Sequence, residues 1–549
     1  MVWEFEASEK GGPARDRLRI TQQVAPAVPL TVQQAAFVQV DGKYEIPATL
    51  PAGALAGKGG IEIGLSPRLA KAPPGVTRFF EEYPYICLEQ KTSISVGLRD
   101  AKRWQTVAEA LPSYLDANGL ARYFPGDGPG NVVLTAYVLD VSKEAGFSIP
   151  EATRQRMEQG LVAYVEGRLK SDSHLYRPLG EDLLARKLVA LEALTRLGHK
   201  PSAAAAALEV EPVRLPTSSL IDWYLVAKRL PDLPQRAAKL AAAERELRNR
   251  LSYTGGRLSF TTERSDYWWW MMVSGDANAF RLIDAVIDEP TWQEDLPPLM
   301  LGAMQRQARG HWLTTVANVW ATIALDKFGR KFEKDGVKGS TQAQLGGGEP
   351  KRYAWQGDKN ETPPKLSLPW PAKPVAESKL SLRHEGSGKP WAQLQVLAAL
   401  PVTEARSFGY KVSRTVTPLQ EKEKGKVSRG DLWRVTLIVD ADQDMDWVVV
   451  NDPVPAGARI LGDGDGRDSH IGQMGERPAT GVAWPSFIER TFGQFRAYYE
   501  YVPKGRFRID YTVRLNNAGE FSLPATRVEA MYAPDVFGEA PNGKVVVGD

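Results

Sequence analysis

The residues best suited to chemistry are the chain's only cysteine and a glutamine three positions on. Cys87 and Gln90 stand in Tyr83-Pro84-Tyr85-Ile86-Cys87-Leu88-Glu89-Gln90. Side chains three apart on a helix are neighbours. If the thiol displaces ammonia from the Gln90 carboxamide, the two close into an internal thioester. Gln90 then supplies an activated acyl carbon, Cys87 is the leaving thiolate, and an external amine is the nucleophile. This is a single-use acyl transfer. A helix N-terminus helps it, because free N–H groups stabilise the oxyanion. Water must stay out until the nucleophile arrives. Tyr83 and Tyr85 precede Cys87 by four and two residues, so alternation puts both rings on one side.

Three textures along the chain must position this pair. Residues 15–73 read as strands: Val38-Gln39-Val40 and Ile61-Glu62-Ile63-Gly64-Leu65 alternate apolar and polar, between Pro and Gly breaks. Residues 74–330 read as helices, with apolar spacing of three and four in stretches such as Leu188-Val189-Ala190-Leu191-Glu192-Ala193-Leu194 and Leu220-Ile221-Asp222-Trp223-Tyr224-Leu225-Val226. More polar helices lie between the apolar ones. That alternation predicts two concentric layers, an α/α toroid. Strands return from about 331. Leu380-Ser381-Leu382-Arg383 and Ala392-Gln393-Leu394-Gln395-Val396 flank Glu385-Gly386-Ser387-Gly388-Lys389-Pro390, a hairpin signal. After about 404 the pattern is all β and predicts a sandwich.

Composition bounds the function. At 549 residues the chain is too long for one core. With 69 basic and 66 acidic residues, it makes no electrostatic case for nucleic acid. No apolar run is long enough to span a membrane, so no membrane contact by this portion is expected. Met1-Val2-Trp3-Glu4-Phe5-Glu6 has neither a basic n-region nor an apolar h-region, and the start reads as a cut through a longer protein. One cysteine allows no intramolecular disulfide. No Walker loop, zinc spacing or Gly-x-Ser-x-Gly elbow occurs, so neither cofactor nor metal is expected.

Strands, a helical insert opening with Tyr-Pro-Tyr-x-Cys-Leu-Glu-Gln, then strands again: this order resembles the C-terminal portion of a bacterial α2-macroglobulin. Three more stretches are similar to that family. They are Gly119-Leu120-Ala121-Arg122-Tyr123-Phe124-Pro125 followed by Leu134-Thr135-Ala136-Tyr137, then Val448-Val449-Val450-Asn451-Asp452-Pro453-Val454-Pro455-Ala456-Gly457, and Val528-Glu529-Ala530-Met531-Tyr532-Ala533-Pro534-Asp535-Val536-Phe537-Gly538-Glu539. The resemblance implies a multidomain α+β fold. An α/α-toroid thioester domain (74–330) is inserted in a split CUB-like β domain (15–73 and 331–403). A macroglobulin-type β-sandwich follows (404–549), and 1–14 is a linker.

The resemblance also implies function. The chain is expected to be part of a broad-range protease inhibitor rather than an enzyme. It captures target proteases covalently when their lysine amines attack the Cys87–Gln90 thioester. Tyr83, Tyr85, Met531 and Tyr532 match the family's shield over that bond. A periplasmic place in bacterial defence is implied. For the full-length protein, an inner-membrane lipid anchor and a peptidoglycan synthase partner are options. One departure stands out. The family usually has Gly just before the Cys, and this chain has Ile86. A Gly there would serve a φ > 0 turn or a close backbone approach.

Other motifs have plainer readings. Leu197-Gly198-His199-Lys200-Pro201 reads as a helix C-terminus rather than a transacylating histidine. His311 reads as the start of an apolar helix. Trp268-Trp269-Trp270 reads as packing between toroid layers. Asp463-Gly464-Asp465-Gly466 hints at calcium, but Met474 stands where an EF-hand loop needs Glu. Two alternatives stay open: a thioester-inactive relative acting by steric trapping or partner binding, and an α/α-toroid hydrolase with paired carboxylates.

Overall fold

A computed structural model describes residues 2–21, 26–69, 73–169, 182–261, 268–371, 378–462 and 483–549. The Asp463–Gly466 motif and Met474 lie outside them. The chain begins with an antiparallel hairpin of Val2–Ser8 and Arg15–Thr21. Residues 1–14, expected as a linker, therefore include a strand, and residues 15–21 pair with it instead of joining the split domain. Alternation explains the difference. Trp3 faces Ile20 and Phe5 faces Leu18 on one side, while Glu4 faces Arg19 and Glu6 faces Arg17 on the other.

Two four-stranded sheets form the split sandwich. One runs Leu366–Pro369, Gly59–Ser66, Trp391–Ala399, Leu30–Gln39, and the other runs Lys43–Ala48, Ser378–Ser387, Lys338–Leu345, Lys351–Gln356. Each sheet combines strands from before and after the helices. The hairpin expected across residues 385–390 does not form. Ser378–Ser387 and Trp391–Ala399 lie in different sheets, because each needs a full set of neighbours and both point apolar faces into one core.

Trp391–Ala399 is buried along its whole length. Leu394 and Val396 face the sandwich core, while Gln393 and Gln395 face the helices. Gln393 ties the helical insert down at both ends. Its Oε1 accepts from Gly75 N at 2.5 Å, and its Nε2 donates to Gly310 O at 2.8 Å. A side chain at Gly75 would strike Gly310 O, which explains the glycine there.

The helical insert is a ring. Leu88–Gly97, Val132–Ala145, Leu183–Arg196, Thr217–Arg229, Gly275–Val286 and Thr315–Phe332 contact one another in sequence, and the last returns to the first. Ala101–Tyr114, Glu151–Val165, Arg236–Asn249 and Leu296–Met304 lie outside. The inner helices are buried almost all round, as an inner layer must be. Arg196 sits inside the ring, with Glu192 at 2.7 Å, Asp140 at 3.5 Å and Asp284 at 3.6 Å, and its guanidinium lies over the Trp320 ring.

The last domain packs a six-stranded sheet on a four-stranded one. Asp452 is fully buried between them. It accepts from Arg414 Nε at 3.0 Å and from the hydroxyls of Tyr511 and Thr526. In Met445–Pro453, Val448 and Val450 enter the sandwich core, while Trp447 and Val449 join the helical core. This two-faced strand welds the last domain to the ring.

Gln393→Leu tests the junction between ring and split sandwich. It leaves the buried Gly75 N–H and Gly310 C=O unpaired, at about 2–5 kcal/mol together. Urea titration should show that loss, and a loss below about 1 kcal/mol would mean that Gln393 does not hold the junction.

Candidate functional site

Local sequence places Cys87 at a helix start. The helix Pro74–Glu82 ends because Pro84 disfavours an α conformation at Tyr83, which is extended at φ −65°, ψ 120°. No regular structure intervenes before Cys87, the extended N-cap of helix Leu88–Gly97, with φ −65°, ψ 168°. Gln90 is the third helical residue. The two form a reciprocal cap: Cys87 N–H donates to Gln90 Oε1 at 3.2 Å, and the Cys87 sulfur accepts from the Gln90 N–H. It is the capping-box arrangement with thiol in place of hydroxyl. Ile86 is not among the residues with positive φ, so the turn makes no demand that only glycine meets.

Cys87, Glu89 and Gln90 are completely buried. Burial holds the Cys87 thiol well above the usual thiol range. The Glu89 carboxylate nearby adds to this, and the helix-start N–H groups of Gln90 and Glu89 oppose it. The thiol is therefore neutral, and unlike the exposed, electropositive setting of a reactive cysteine. Burial also raises the Glu89 carboxyl, against hydrogen bonds from Ser93, Thr315 and Tyr532.

The four residues named from the resemblance as a shield come together here from two domains. Tyr83 and Tyr85 meet edge to face with ring centroids 5.5 Å apart. Met531 and Tyr532 come from the turn between Thr526–Ala530 and Ala533–Ala540, where the pairing register shifts after Glu529. Gln90 Nε2 donates to Met531 Sδ at 3.0 Å, so Met531 lies over the nitrogen that thioester formation would expel. The Tyr532 hydroxyl donates to Glu89 Oε2 at 2.9 Å, and the Tyr85 hydroxyl donates to Glu529. Burial pushes all three tyrosines, 83, 85 and 532, well above the usual phenol range.

Other wall residues escaped sequence reasoning. Tyr123 packs on Trp447 with centroids 3.8 Å apart. Trp447 has a positive φ of 51°, and its carbonyl accepts from Met531 N at 2.8 Å. Arg496 Nη1 donates to Pro84 O at 2.8 Å, a further stitch between the domains. Glu89 lay inside the motif and carried no role until its partners were seen. No local signal marks Trp447 or Arg496, whose contacts come from distant elements.

A cleft of about 570 Å³ opens beside the shield, with Tyr83, Tyr85 and Met531 in its wall. His311 lines it too, stacked on Phe79 at 4.3 Å, and burial lowers its pKa. It does not start a helix, because Thr314 caps Thr315–Phe332. His199 follows a helix C-terminus and pairs with Glu158 at 2.9 Å. Trp268 and Trp270 stack at 5.4 Å, because this turn is a 3₁₀ segment and not an α-helix. Among the described residues no group of three or more His, Cys, Asp and Glu could hold a metal, and no helix is long and apolar enough to cross a membrane.

The chain is similar to known proteins over part or all of its length. Residues 409–535 match the family model "Bacterial Alpha-2-macroglobulin MG10 domain". An alpha-2-macroglobulin homolog of Nostoc sp. is 22% identical over 457 residues, which is 80% of this chain and 23% of that protein. The chain thus spans about a quarter of this curated relative. The crystal structure of native Escherichia coli alpha-2-macroglobulin from domain MG7 to the C-terminus superposes with a TM-score of 0.70 at 18% identity, covering 100% of this chain and 88% of that one. Salmonella alpha-2-macroglobulin reacted with methylamine superposes with a TM-score of 0.69 at 19% identity, covering 98% of this chain and 34% of that one.

The backbone at Ile86 yields a test. Ile86→Gly relieves no strain, frees the unfolded chain and removes a side chain packed on the helical core. It should cost about 1–3 kcal/mol in chemical denaturation. Stabilisation would show that the turn prefers the glycine.

Proposed function

We propose that this chain, whose fold is that of a bacterial α2-macroglobulin C-terminal region, carries a Cys87–Gln90 thioester. It is then the reactive part of a protease inhibitor that captures target proteases through their lysine amines. One observation carries the reading: Cys87 and Gln90 close a reciprocal cap, fully buried, with the Gln90 carboxamide against a side chain of another domain. The amine of Salmonella alpha-2-macroglobulin's methylamine reaction is the same nucleophile class.

The chemistry follows from the atoms present. An amine attacks the Gln90 acyl carbon. Negative charge develops on Oε1, where the Cys87 N–H can donate. The carbon–sulfur bond breaks, and the sulfur takes the proton that the attacking nitrogen gives up. Burial favours the resulting neutral thiol. Each molecule reacts once, so the chain is not a turnover enzyme. Inside the ring, Glu192, Asp222 and Asp284 are committed to Arg196, Arg229, Arg281 and Lys327, which weighs against the hydrolase alternative. The split sandwich takes the place of the CUB-like domain. A periplasmic setting, a lipid anchor and a peptidoglycan synthase partner belong to the same proposal for the full-length protein. A thioester-inactive relative acting by steric trapping or partner binding is the second reading, and the buried, neutral setting of the Cys87 thiol favours it.

Intact mass separates the two readings. With the thioester, the protein is lighter by one ammonia. Methylamine then releases one thiol and adds to Gln90, and Cys87→Ala does neither. Full alkylation of Cys87 without amine treatment would leave the inactive relative standing.

The shield has its own test. Tyr83→Ala and Tyr532→Ala should each speed thioester hydrolysis by about tenfold or more, the effect of losing a buried aromatic wall, while the fold survives. Unchanged hydrolysis in both would mean that something else keeps water out.

A further inference from the structure

We propose that Glu89 and Glu529 are positioning residues that key the shield shut, each by accepting a hydrogen bond from a tyrosine of the opposite domain. This rests on the thioester reading above. The two bonds cross the seam in opposite directions. Tyr85, just ahead of the ring helix, donates to Glu529 on the last sandwich. Tyr532 on that sandwich donates to Glu89 in the first turn of the ring helix.

Each side of the seam thus supplies one donor and one acceptor, four residues apart on one side and three on the other. Met531 lies between Glu529 and Tyr532 in sequence. The two bonds bracket it and hold its sulfur over the Gln90 acyl group, 3.0 Å from Nε2 before that nitrogen leaves.

The two carboxylates sit in different settings. Glu529 has a cation, Arg527, at 2.5 Å, which also pairs with Glu539. It lines the cleft beside the shield. Glu89 is completely buried and has no ion pair among the described residues. Three hydroxyls satisfy it: Ser93 at 2.5 Å, Thr315 at 2.7 Å and Tyr532 at 2.9 Å. Two of these belong to the ring, and the third arrives only when the sandwich is docked. A buried carboxyl that loses a donor is costly. Glu89 therefore favours the docked state, and does so through geometry that a merely apolar contact lacks.

The experiment uses the whole chain and measures the rate at which methylamine releases the Cys87 thiol, with melting curves to confirm folding. Tyr85→Phe, Tyr532→Phe and Glu529→Leu should each raise the rate about tenfold to hundredfold, the range for losing a hydrogen bond to a charged group. Glu529→Gln keeps a carbonyl acceptor for Tyr85 and should give a rate nearer wild type than Glu529→Leu, while Glu89→Gln keeps only one of the two oxygens that Glu89 uses and should fall between wild type and Tyr532→Phe. Tyr85→Phe combined with Glu529→Leu should be no faster than the faster single variant, because both remove one bond.

Rates within twofold of wild type in all three single variants would overturn the proposal. So would a double variant whose effects multiply. If untreated wild-type Cys87 alkylates freely, the thioester reading fails instead. The Cys87 alkylation rate in the same variants then tests the latch by the same criteria. If Glu89 variants do not fold, the Tyr85–Glu529 cycle decides.

Discussion

A polar group taken out of water must find a partner, and this chain buries several at the seam between its helical ring and its last sandwich. Cys87, Glu89 and Gln90 lose all contact with solvent there. Their satisfaction is divided between domains. The cap between Cys87 and Gln90 is local, but the Gln90 amide and one Glu89 oxygen find partners on Met531 and Tyr532, more than four hundred residues away. The site is complete only when the domains are docked, so keeping the pair dry and keeping the domains together are one requirement.

Two internally cross-linked domains hold that seam. The ring closes on itself, with Thr315–Phe332 returning to Leu88–Gly97, so the helix bearing Gln90 has neighbours on both sides. Thr315 also reaches Glu89, which links the two ends of the ring through the site. On the other side, Asp452 locks the two sheets of the last sandwich, and the strand carrying it presents Trp447 to the ring. The split sandwich anchors the base of the insert through Gln393. Each anchor is a buried polar residue with specific partners, which favours one docking geometry over the many that apolar packing alone would tolerate.

The Cys87–Gln90 pairing was legible in sequence because it is local. Spacing, the Pro84 break and a helix start bring thiol and carboxamide together without help from distant residues. The alternation of apolar and amphipathic helices gave the two-layer ring for a similar reason: burial all round marks the inner layer. Met531 and Tyr532 were found by resemblance alone, since nothing in their own spacing points to Cys87. Trp447, Arg496 and Glu529 went unassigned, because each acts by facing an element from another part of the chain. The hairpin read across residues 385–390 failed for a related reason. A turn signal says that the chain reverses, not which sheet receives the next strand.

By itself, the sequence determined the local conformation at the site: a helix broken at Tyr83, a second helix starting after Cys87, and Cys87 and Gln90 on its first turn. Those follow from backbone sterics and capping within eight residues. Only the tertiary structure decided what surrounds the pair. Whether the thiol is exposed or dry, neutral or ionised, depends on which sandwich face docks on the ring. That choice is made by long-range packing and by buried hydrogen bonds such as Tyr532 to Glu89, whose partners are 443 residues apart.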